Sequence, residues 1–543
     1  MTDYEDSPPS PKRYKSETTS DLEVSPVLTD SYQENSFNYE RKIFNDPIHG
    51  LIELHWLLVK IIDTPQFQRL RRLKQLGASY EVFPGACHQR FEHSLGTCHL
   101  AGELLAHLCQ RQPELSITSQ DILCVQMAAL CHDLGHGPFS HMFEEVIAEL
   151  RPDINWKHEQ ASIDMFEYII NTNKLKPFFE QVGLNDNDIV FVKELIFGQL
   201  NQQNNDQNWP YKGRNISKSF LYEIVSNKLT GIDVDKFDYF ARDSYYLGTK
   251  ISFEHMRFIK FYRVIKVDDG KLHLCLRDKE VKACYEIYRI RDDLHRRAYQ
   301  HPVVKGIELM LKEAFIIAND YLFFSSKSGK CDIRLASTID DMFTFNQVDD
   351  HITTLIKHSH HPNMDKAKEI IDKIERREIY RYIGDTHVSW TADFKKKACK
   401  SACQDIIKYC HFDESDCHIT PNDLVILTVE LTCGDRGEDP LQNMWFYTKV
   451  CPNKATRISK EQVSTLLPQT FRERNIRLYC KIRDQHICSI VRYGFKEFCI
   501  AKGYAIPKGS DQWIAMSPKV GRVLASSLSV AEQRVELKKS TSL

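Results

Sequence analysis

Between positions 57 and 322, apolar residues recur mostly at three- and four-residue intervals, the spacing of helices that bury one face. The pattern predicts helices over 57–76, 93–111, 119–135, 158–172, 187–199, 218–229, 280–299 and 302–322. Thr64-Pro65 interrupts the first, and proline fits the opening turn of a new helix, where its missing N–H costs nothing. Beta-rich patches are shorter: 261–267 and 272–277, joined by Asp268-Asp269-Gly270, read as a hairpin. The polar stretch from Asn201 to Asn215 reads as an exposed loop.

After about position 365 the character changes. A charged helix is predicted over 366–379, paired strands over 424–433 and 444–450, and a helix over 487–503. The fold class is therefore mainly α: a helical core over 41–365 with small β hairpins, and a smaller α+β lobe over 366–506. Tails flank both, 1–40 and 507–543. The first is rich in Ser, Thr, Pro and acids and cannot bury enough surface to offset its ordering entropy, so disorder is expected. The second is polar and basic, and partial disorder is expected there too. Within the first tail, Pro11-Lys12-Arg13-Tyr14-Lys15 reads equally as a nuclear-import signal or as solvated charge. Ser10-Pro11-Lys12-Arg13 resembles a proline-directed phosphorylation site. There is no internal repeat.

Charge narrows the function classes. With 72 Lys+Arg against 74 Asp+Glu, the net charge of −2 argues against nucleic-acid binding through bulk positive charge, leaving only a local patch. No apolar run approaches the roughly 20 residues that span a bilayer. The acidic start, Met1-Thr2-Asp3-Tyr4-Glu5-Asp6, is not a secretory signal. The 17 cysteines then read as reduced thiols of a cytosolic or nuclear protein. Cys399, Cys403, Cys410 and Cys417 are irregularly spaced and read as buried or surface thiols more readily than as a zinc site.

The chemistry concentrates in Cys131-His132-Asp133-Leu134-Gly135-His136-Gly137-Pro138-Phe139-Ser140-His141. Imidazole and carboxylate side by side are good ligands for a divalent transition metal. His136, four residues after His132, would share its face if the helix continued. Gly135 and Gly137 let the backbone turn closely around a ligand. A polar helix end with satisfied histidines is the bland alternative. Two further segments weigh against it: His88-Gln89-Arg90-Phe91-Glu92-His93 upstream and Gly231-Ile232-Asp233-Val234-Asp235-Lys236-Phe237-Asp238 downstream.

The order H…HD…D is the metal-binding order of the HD superfamily of phosphohydrolases. With NDPIHG at 45–50, RFEHSLG at 90–96, LCHDLGHGPFSHMF at 130–143, GIDVDKFDYFARD at 231–243 and LHRRAYQH at 294–301, the chain resembles the vertebrate SAM-and-HD-domain deoxynucleoside triphosphate triphosphohydrolases. The resemblance covers about 41 to at least 503. It implies an all-helical HD-domain core and a metal held by His93, His132, Asp133 and Asp235. That mixed set suits iron, manganese or zinc and would be poor for calcium. It implies hydrolysis of a dNTP to deoxynucleoside and inorganic triphosphate. Arg90, Lys236 and Arg291 would clamp phosphates, as Arg suits bidentate contacts. Gln75 and Asp243 would bond the 3′-hydroxyl, Tyr299 would exclude a 2′-hydroxyl, and Tyr239, His295 and Gln300 would line the pocket. His158 matches the catalytic histidine, with Glu144 where the family has an aspartate. His141 would protonate the leaving 5′-oxygen, and His136 would contact phosphate.

The same resemblance implies activation by GTP and dNTP, each with magnesium, that bridge subunits into a homotetramer. Lys42, Asp63, Gln68 and Arg71 match the guanine-specific site. Asn45, Val82, Arg257, Phe261, Arg277, Lys279, His301 and Lys481 match the neighbouring deoxynucleotide site, where Pro302 replaces a usual lysine. Cys275 and Cys480 match cysteines proposed as redox-sensitive, though buried inert thiols read as well. Only about 40 residues precede the matching segment, too few for a SAM bundle, so that domain is expected to be absent here. Pool control and antiviral restriction are the implied roles. The nucleus is the implied compartment, the cytoplasm the second. Another HD-type nucleotide phosphohydrolase and a single-stranded nucleic-acid binder are the competing classes. The RAYQH and DKFDYFARD motifs argue against the first and the intact H…HD…D set against the second.

Overall fold

The computed structural model describes residues 41–198, 209–251, 253–390, 396–412, 419–432 and 438–508. Both tails' sequence signals, the loop stretch 201–208, Cys417 and Cys433 lie outside these residues. The fold is mainly α, as the periodicity predicts.

The core is built on long helices with well-defined starts. Arg90–Arg111 opens with a capping box of Gln89 and Glu92, and Ser119–Cys131 opens with one of Thr118 and Asp121. Each satisfies orphan N–H groups of its first turn, an effect of about 1 kcal/mol. These two helices pack against each other, and Arg90–Arg111 also packs against Val234–Leu247. Leu95, Cys98, Leu104, Leu105, Cys124, Met127, Phe237 and Phe240 are buried between them. Full burial of one such side chain stabilises by about 1.5–3 kcal/mol. His158–Thr172 matches its predicted span, and Asp186–Phe197, Val281–Leu294 and Pro302–Ala318 fall within theirs to a few residues.

The 57–76 prediction resolves into Trp56–Ile62, Pro65–Gln68 and a 3₁₀ turn, Arg69–Arg72. Thr64 accepts a hydrogen bond from the Phe67 N–H and Pro65 sits at the first position, so a new helix starts there. Three predictions are corrected. Residues 218–229 form no α-helix: Ile216–Glu223 is 3₁₀, kinked at Lys218, and Ser219 Oγ instead hydrogen-bonds both backbone groups of Leu272. The helix drawn over 119–135 ends at Cys131, so His136 sits in a turn. The strands at 424–433 and 444–450 do not pair with each other. Leu424–Thr432 pairs antiparallel with Arg472–Cys480, which also pairs with Arg381–His387. Trp445–Tyr447 runs parallel to Leu272–Arg277.

That hairpin, Tyr262–Lys266 with Leu272–Arg277, is therefore extended by Trp445–Tyr447 and Ala455–Thr456 into a four-stranded sheet. Leu441, Met444, Phe446 and Phe471 join the large core, as do Ala367, Ile371 and Ile374 of the helix Asp365–Glu375. A second hydrophobic cluster forms where helix Gln485–Lys502 covers the three-stranded sheet, around Ile406, Ile476, Leu478, Val491 and Phe495. Cys403 and Cys410 donate to the carbonyls of Leu424 and Ile406, as ordinary thiols do. No helix among the described residues is long and apolar enough to cross a membrane.

Candidate metal centre and substrate cleft

Three elements converge on one buried point. His93 lies in the first turn of Arg90–Arg111, His132 caps the end of Ser119–Cys131, and Asp235 lies in the first turn of Val234–Leu247. His93 Nε2 is 3.1 Å from Asp235 Oδ1 and 3.6 Å from Asp133 Oδ2. His132 Nε2 is 3.4 Å from Asp133 Oδ1 and 3.5 Å from Asp235 Oδ1. Both Nε2 atoms are buried and have no hydrogen-bond partner. Their opposite nitrogens are engaged: His93 Nδ1 with Asp238 Oδ2 at 2.7 Å, and His132 Nδ1 with the Ala129 carbonyl at 2.7 Å. Such outer contacts fix the tautomer that turns Nε2 inward, as in metal-ligating histidines. Two inward lone pairs facing two carboxylates fit a divalent metal.

The electrostatics agree. Burial alone would lower the His93 pKa, but Asp235 and Asp238 outweigh it and raise the value to about 10. Burial likewise opposes ionisation of Asp133, yet Arg90, His132 and His136 hold its carboxyl well below the usual range. The site strongly favours positive charge, whether as a proton on imidazole or as an ion shared by all four groups.

A second cluster, His136, His141, Glu144 and His158, also brings its polar atoms together. Its geometry differs. The His136 and His158 rings stack with centroids 4.0 Å apart and planes 19° apart, so their in-plane lone pairs run side by side instead of converging on one ion. Glu144 Oε1 lies 2.6 Å from His158 Nδ1 and 3.3 Å from His141 Nδ1. Burial opposes its ionisation, but hydrogen bonds from both histidines hold its carboxyl well below the ordinary range. The turn reaches these partners because residue 135 is glycine: a Cβ there would lie 2.2 Å from the His158 carbonyl oxygen and 2.3 Å from the Ser162 nitrogen.

Both clusters open into one cleft of 560 Å³. Gln75, Arg90, Lys236, Tyr239, Asp243, Arg291, His295, Tyr299 and Gln300 all line it, together with Asp133, Asp235, His136, His141 and His158. Glu144, His93 and His132 back this wall. Arg90 pairs with Asp133 and donates to Ser140 Oγ at 3.1 Å. Lys236 lies 3.1 Å from Asp233, and Arg291 donates to the Thr432 carbonyl at 2.7 Å. The Tyr299 hydroxyl donates to Asp243 at 2.5 Å, and His88 holds the other Asp243 oxygen at 2.7 Å. His295 and Tyr299 sit on a single π-helical turn, His295–Tyr299. Burial, with Arg291 and Lys305 adding, lowers the His295 pKa to about 3, so it is neutral near pH 7.

Known proteins share this arrangement's sequence. The HD domain family matches residues 90–201. The deoxynucleoside triphosphate triphosphohydrolase SAMHD1 of Gallus gallus is 48% identical over 473 residues, 87% of this chain and 77% of the relative. The Homo sapiens SAMHD1 is 47% identical over 472 residues, 87% of this chain and 75% of the relative. The SAMHD1 homolog of Dictyostelium discoideum is 34% identical over 485 residues, 88% and 85% of the two chains. The chain belongs to the SAMHD1 family.

The residues expected from the resemblance to bind activators fall into separate groups on this chain. Lys42 and Asp63 pair at 3.4 Å, and Arg71 donates to Gln68 at 2.8 Å while covering the Phe91 ring at 3.5 Å. Asn45 lies on the strand Lys42–Asp46. Arg257 and Lys279 both lie over the Phe261 ring, at 5.2 and 3.9 Å, and Arg277 turns to Asp278 at 2.8 Å. His301 caps the helix that Pro302 begins, beside Phe83 and so near Val82. Lys481 reaches Glu313 at 2.8 Å. Cys275 and Cys480 are buried.

Sequence reading left several supporting residues without a role. Asp238 anchors His93, and is itself held by His49 at 2.7 Å and by Arg242 at 2.8 and 2.9 Å; Arg242 also reaches Asp46 at 2.8 Å. The i,i+3 spacing from Asp235 to Asp238 was the available signal. Ser140, with φ +59°, and Lys305 carried no such signal.

Proposed function

We propose that the cleft hydrolyses deoxynucleoside triphosphates, water and dNTP giving the 5′-hydroxyl deoxynucleoside and inorganic triphosphate. The observation that carries this is the single cleft that joins the His/Asp centre, the cations Arg90, Lys236 and Arg291, and the Tyr299–Asp243 pair. The donors His93, His132, Asp133 and Asp235 suit iron, manganese or zinc. When bound there, such an ion supplies Lewis acidity at the phosphate and lowers the pKa of water.

The chain's own groups do the rest. Arg90, Lys236 and Arg291 offset the charge of the polyphosphate, with magnesium as its counter-ion. Glu144 holds His158 through Nδ1, leaving Nε2 to exchange a proton on the cleft side. His141 protonates the departing 5′-oxygen; a positioned acid contributes roughly 10²–10⁴-fold. His136, kept neutral first by burial and then by Arg90, contacts phosphate by hydrogen bonding. Asp243 and the side-chain amide of Gln75, whose Oε1 is buried without a partner, bond the 3′-hydroxyl, one accepting its proton and the amide N–H of Gln75 free to donate to its oxygen. Tyr299, an uncharged phenol because burial and Asp243 raise its pKa, packs under the deoxyribose and leaves no room for a 2′-hydroxyl.

The separate cationic groups support a second layer of this proposal. GTP binds Lys42, Asp63, Gln68 and Arg71. A dNTP binds the groups around Asn45, Val82, Arg257, Phe261, Arg277, Lys279, His301 and Lys481, and each activator is completed by another subunit of a homotetramer. The setting is nuclear control of dNTP pools, with antiviral restriction as its consequence. The test of the pocket is turnover of GTP against dGTP with activators saturating. The expected result is hydrolysis of dGTP and none of GTP; comparable rates sink the Tyr299 assignment.

A further inference from the structure

The cleft has a third polar region that neither the metal centre nor the sugar contacts use. It lies between helices Pro302–Ala318 and His141–Leu150 and consists of Lys305, Glu308 and Glu145, with Met142 and Gln300 beside them. Lys305 Nζ lies 2.6 Å from Glu308 Oε2, and the two side chains are only 14% and 15% exposed. An ammonium group has three donors, so one carboxylate leaves others to face the cleft. Burial disfavours the charge on Lys305, but Glu308 and Glu145 outweigh it and keep the amine protonated.

The ground under Lys305 is firm. Its helix starts at Pro302 with His301 as cap, and the Tyr479 hydroxyl donates to the Pro302 carbonyl at 2.9 Å. Arg477 holds the Gln300 carbonyl. A donor placed this rigidly favours one acceptor position over others.

We propose that Lys305, oriented by Glu308, is a specificity-determining residue that donates a hydrogen bond to a carbonyl oxygen on the nucleobase edge. This rests on the dNTP reading of the cleft. The charge balance decides between base and phosphate as the ligand. Lys305 pairs with Glu308, and Lys312 pairs with Glu145 and Glu149, so carboxylates match the cations of this region and a polyphosphate gains no net attraction there, whereas a neutral base accepts from the ammonium without needing one. Of the phosphate cations, Arg90 stands at the metal end, paired with Asp133, and Lys236 stands beside Asp235. Guanine, cytosine and thymine carry a carbonyl oxygen; adenine carries none.

The experiment is internal competition, with pairs of dNTPs in one reaction and relative kcat/KM read from their rates of disappearance. Such ratios do not depend on the folded fraction or on the degree of activation. Lys305→Met should lower whichever of dGTP, dCTP and dTTP places its carbonyl oxygen at this donor, relative to dATP, by roughly three- to tenfold, the worth of one hydrogen bond. Lys305→Gln should shift the ratios the same way and by less, and Lys305→Arg should retain most of the discrimination. Unmoved ratios in a wild type and variants that all release triphosphate overturn the base contact alone. A uniform loss on all four bases also overturns it and makes Lys305 a structural or phosphate group. A wild type that releases triphosphate from none of them overturns the underlying dNTP reading.

Discussion

His93 shows how far one residue's surroundings set its chemistry. Its Nδ1 is tied to Asp238 and its Nε2 faces Asp235 and Asp133, so without a metal it holds a proton, with a pKa raised to about 10 by those carboxylates against the pull of burial. Metal must displace that proton. Affinity should therefore rise with pH below that value, by about tenfold per unit for one proton released. Metal titration of the stripped protein at two pH values near neutrality checks the slope. His132→Ala and Asp133→Ala each remove a ligand and should abolish hydrolysis together with most bound metal, read by metal analysis. Full activity in either variant contradicts a metal-centred site. Glu144→Gln keeps the shape but loses the charge that holds His158 and His141, and should lower kcat roughly 10–100-fold with metal content unchanged. The four donors were legible in the sequence because three short motifs carry them. His49, Arg242 and Asp46 were not, because they meet only through the fold: Arg242 and Asp46 are 196 positions apart.

Elements were legible where packing agrees with periodicity. His158–Thr172 has one apolar stripe and one buried face, and its span matches. Over 218–229 the stripe is present, but Phe220 and Leu221 are buried in a tight 3₁₀ course held by Ser219 against the hairpin, and Ile224 and Val225 in the bend that follows it. Beyond the hairpin of Tyr262–Lys266 with Leu272–Arg277, which its short turn gave away, strand partners were illegible, since alternation fixes a face and not a neighbour. The strand Arg472–Cys480 shows what that pairing does for the site, because Arg477 and Tyr479 grip the carbonyls just after the π turn that carries His295 and Tyr299. Arg477→Ala should lower kcat/KM on the order of tenfold through misplaced pocket residues while metal content stays constant. A different element junction sets acid stability. Asp121 receives Arg214 at 2.7 Å and Lys218 at 2.9 Å. Burial would raise its pKa, but these two cations outweigh that and lower it. A depressed folded pKa contributes stability that is present above the unfolded value of about 3.9 and lost as pH falls through the folded value. Asp121→Asn should cost about 1–2 kcal/mol near neutrality, since Arg214 keeps Asp188 and Lys218 keeps the Leu115 and Ser116 carbonyls, and should flatten the acid limb in denaturant titrations.

At the scale of the whole molecule, the residues expected to bind substrate line one cleft of this chain, while those expected to bind activators stand in groups on different elements. Linkage then predicts that GTP favours whichever assembly completes its site. Sedimentation with GTP and dNTP should show conversion to tetramer, and Arg71→Glu, which places like charge against the activator's phosphates, should abolish both assembly and activation while metal binding persists. Unchanged assembly in that variant would place the regulatory site elsewhere. The central claim is the bond that breaks. Incubation of the metal-loaded protein with dGTP and GTP in ¹⁸O-water, followed by product analysis, tests it most directly. The account predicts deoxyguanosine and inorganic triphosphate in equal amounts, with the label in the triphosphate. Release of orthophosphate or pyrophosphate instead, or label on the deoxynucleoside hydroxyl, would contradict it.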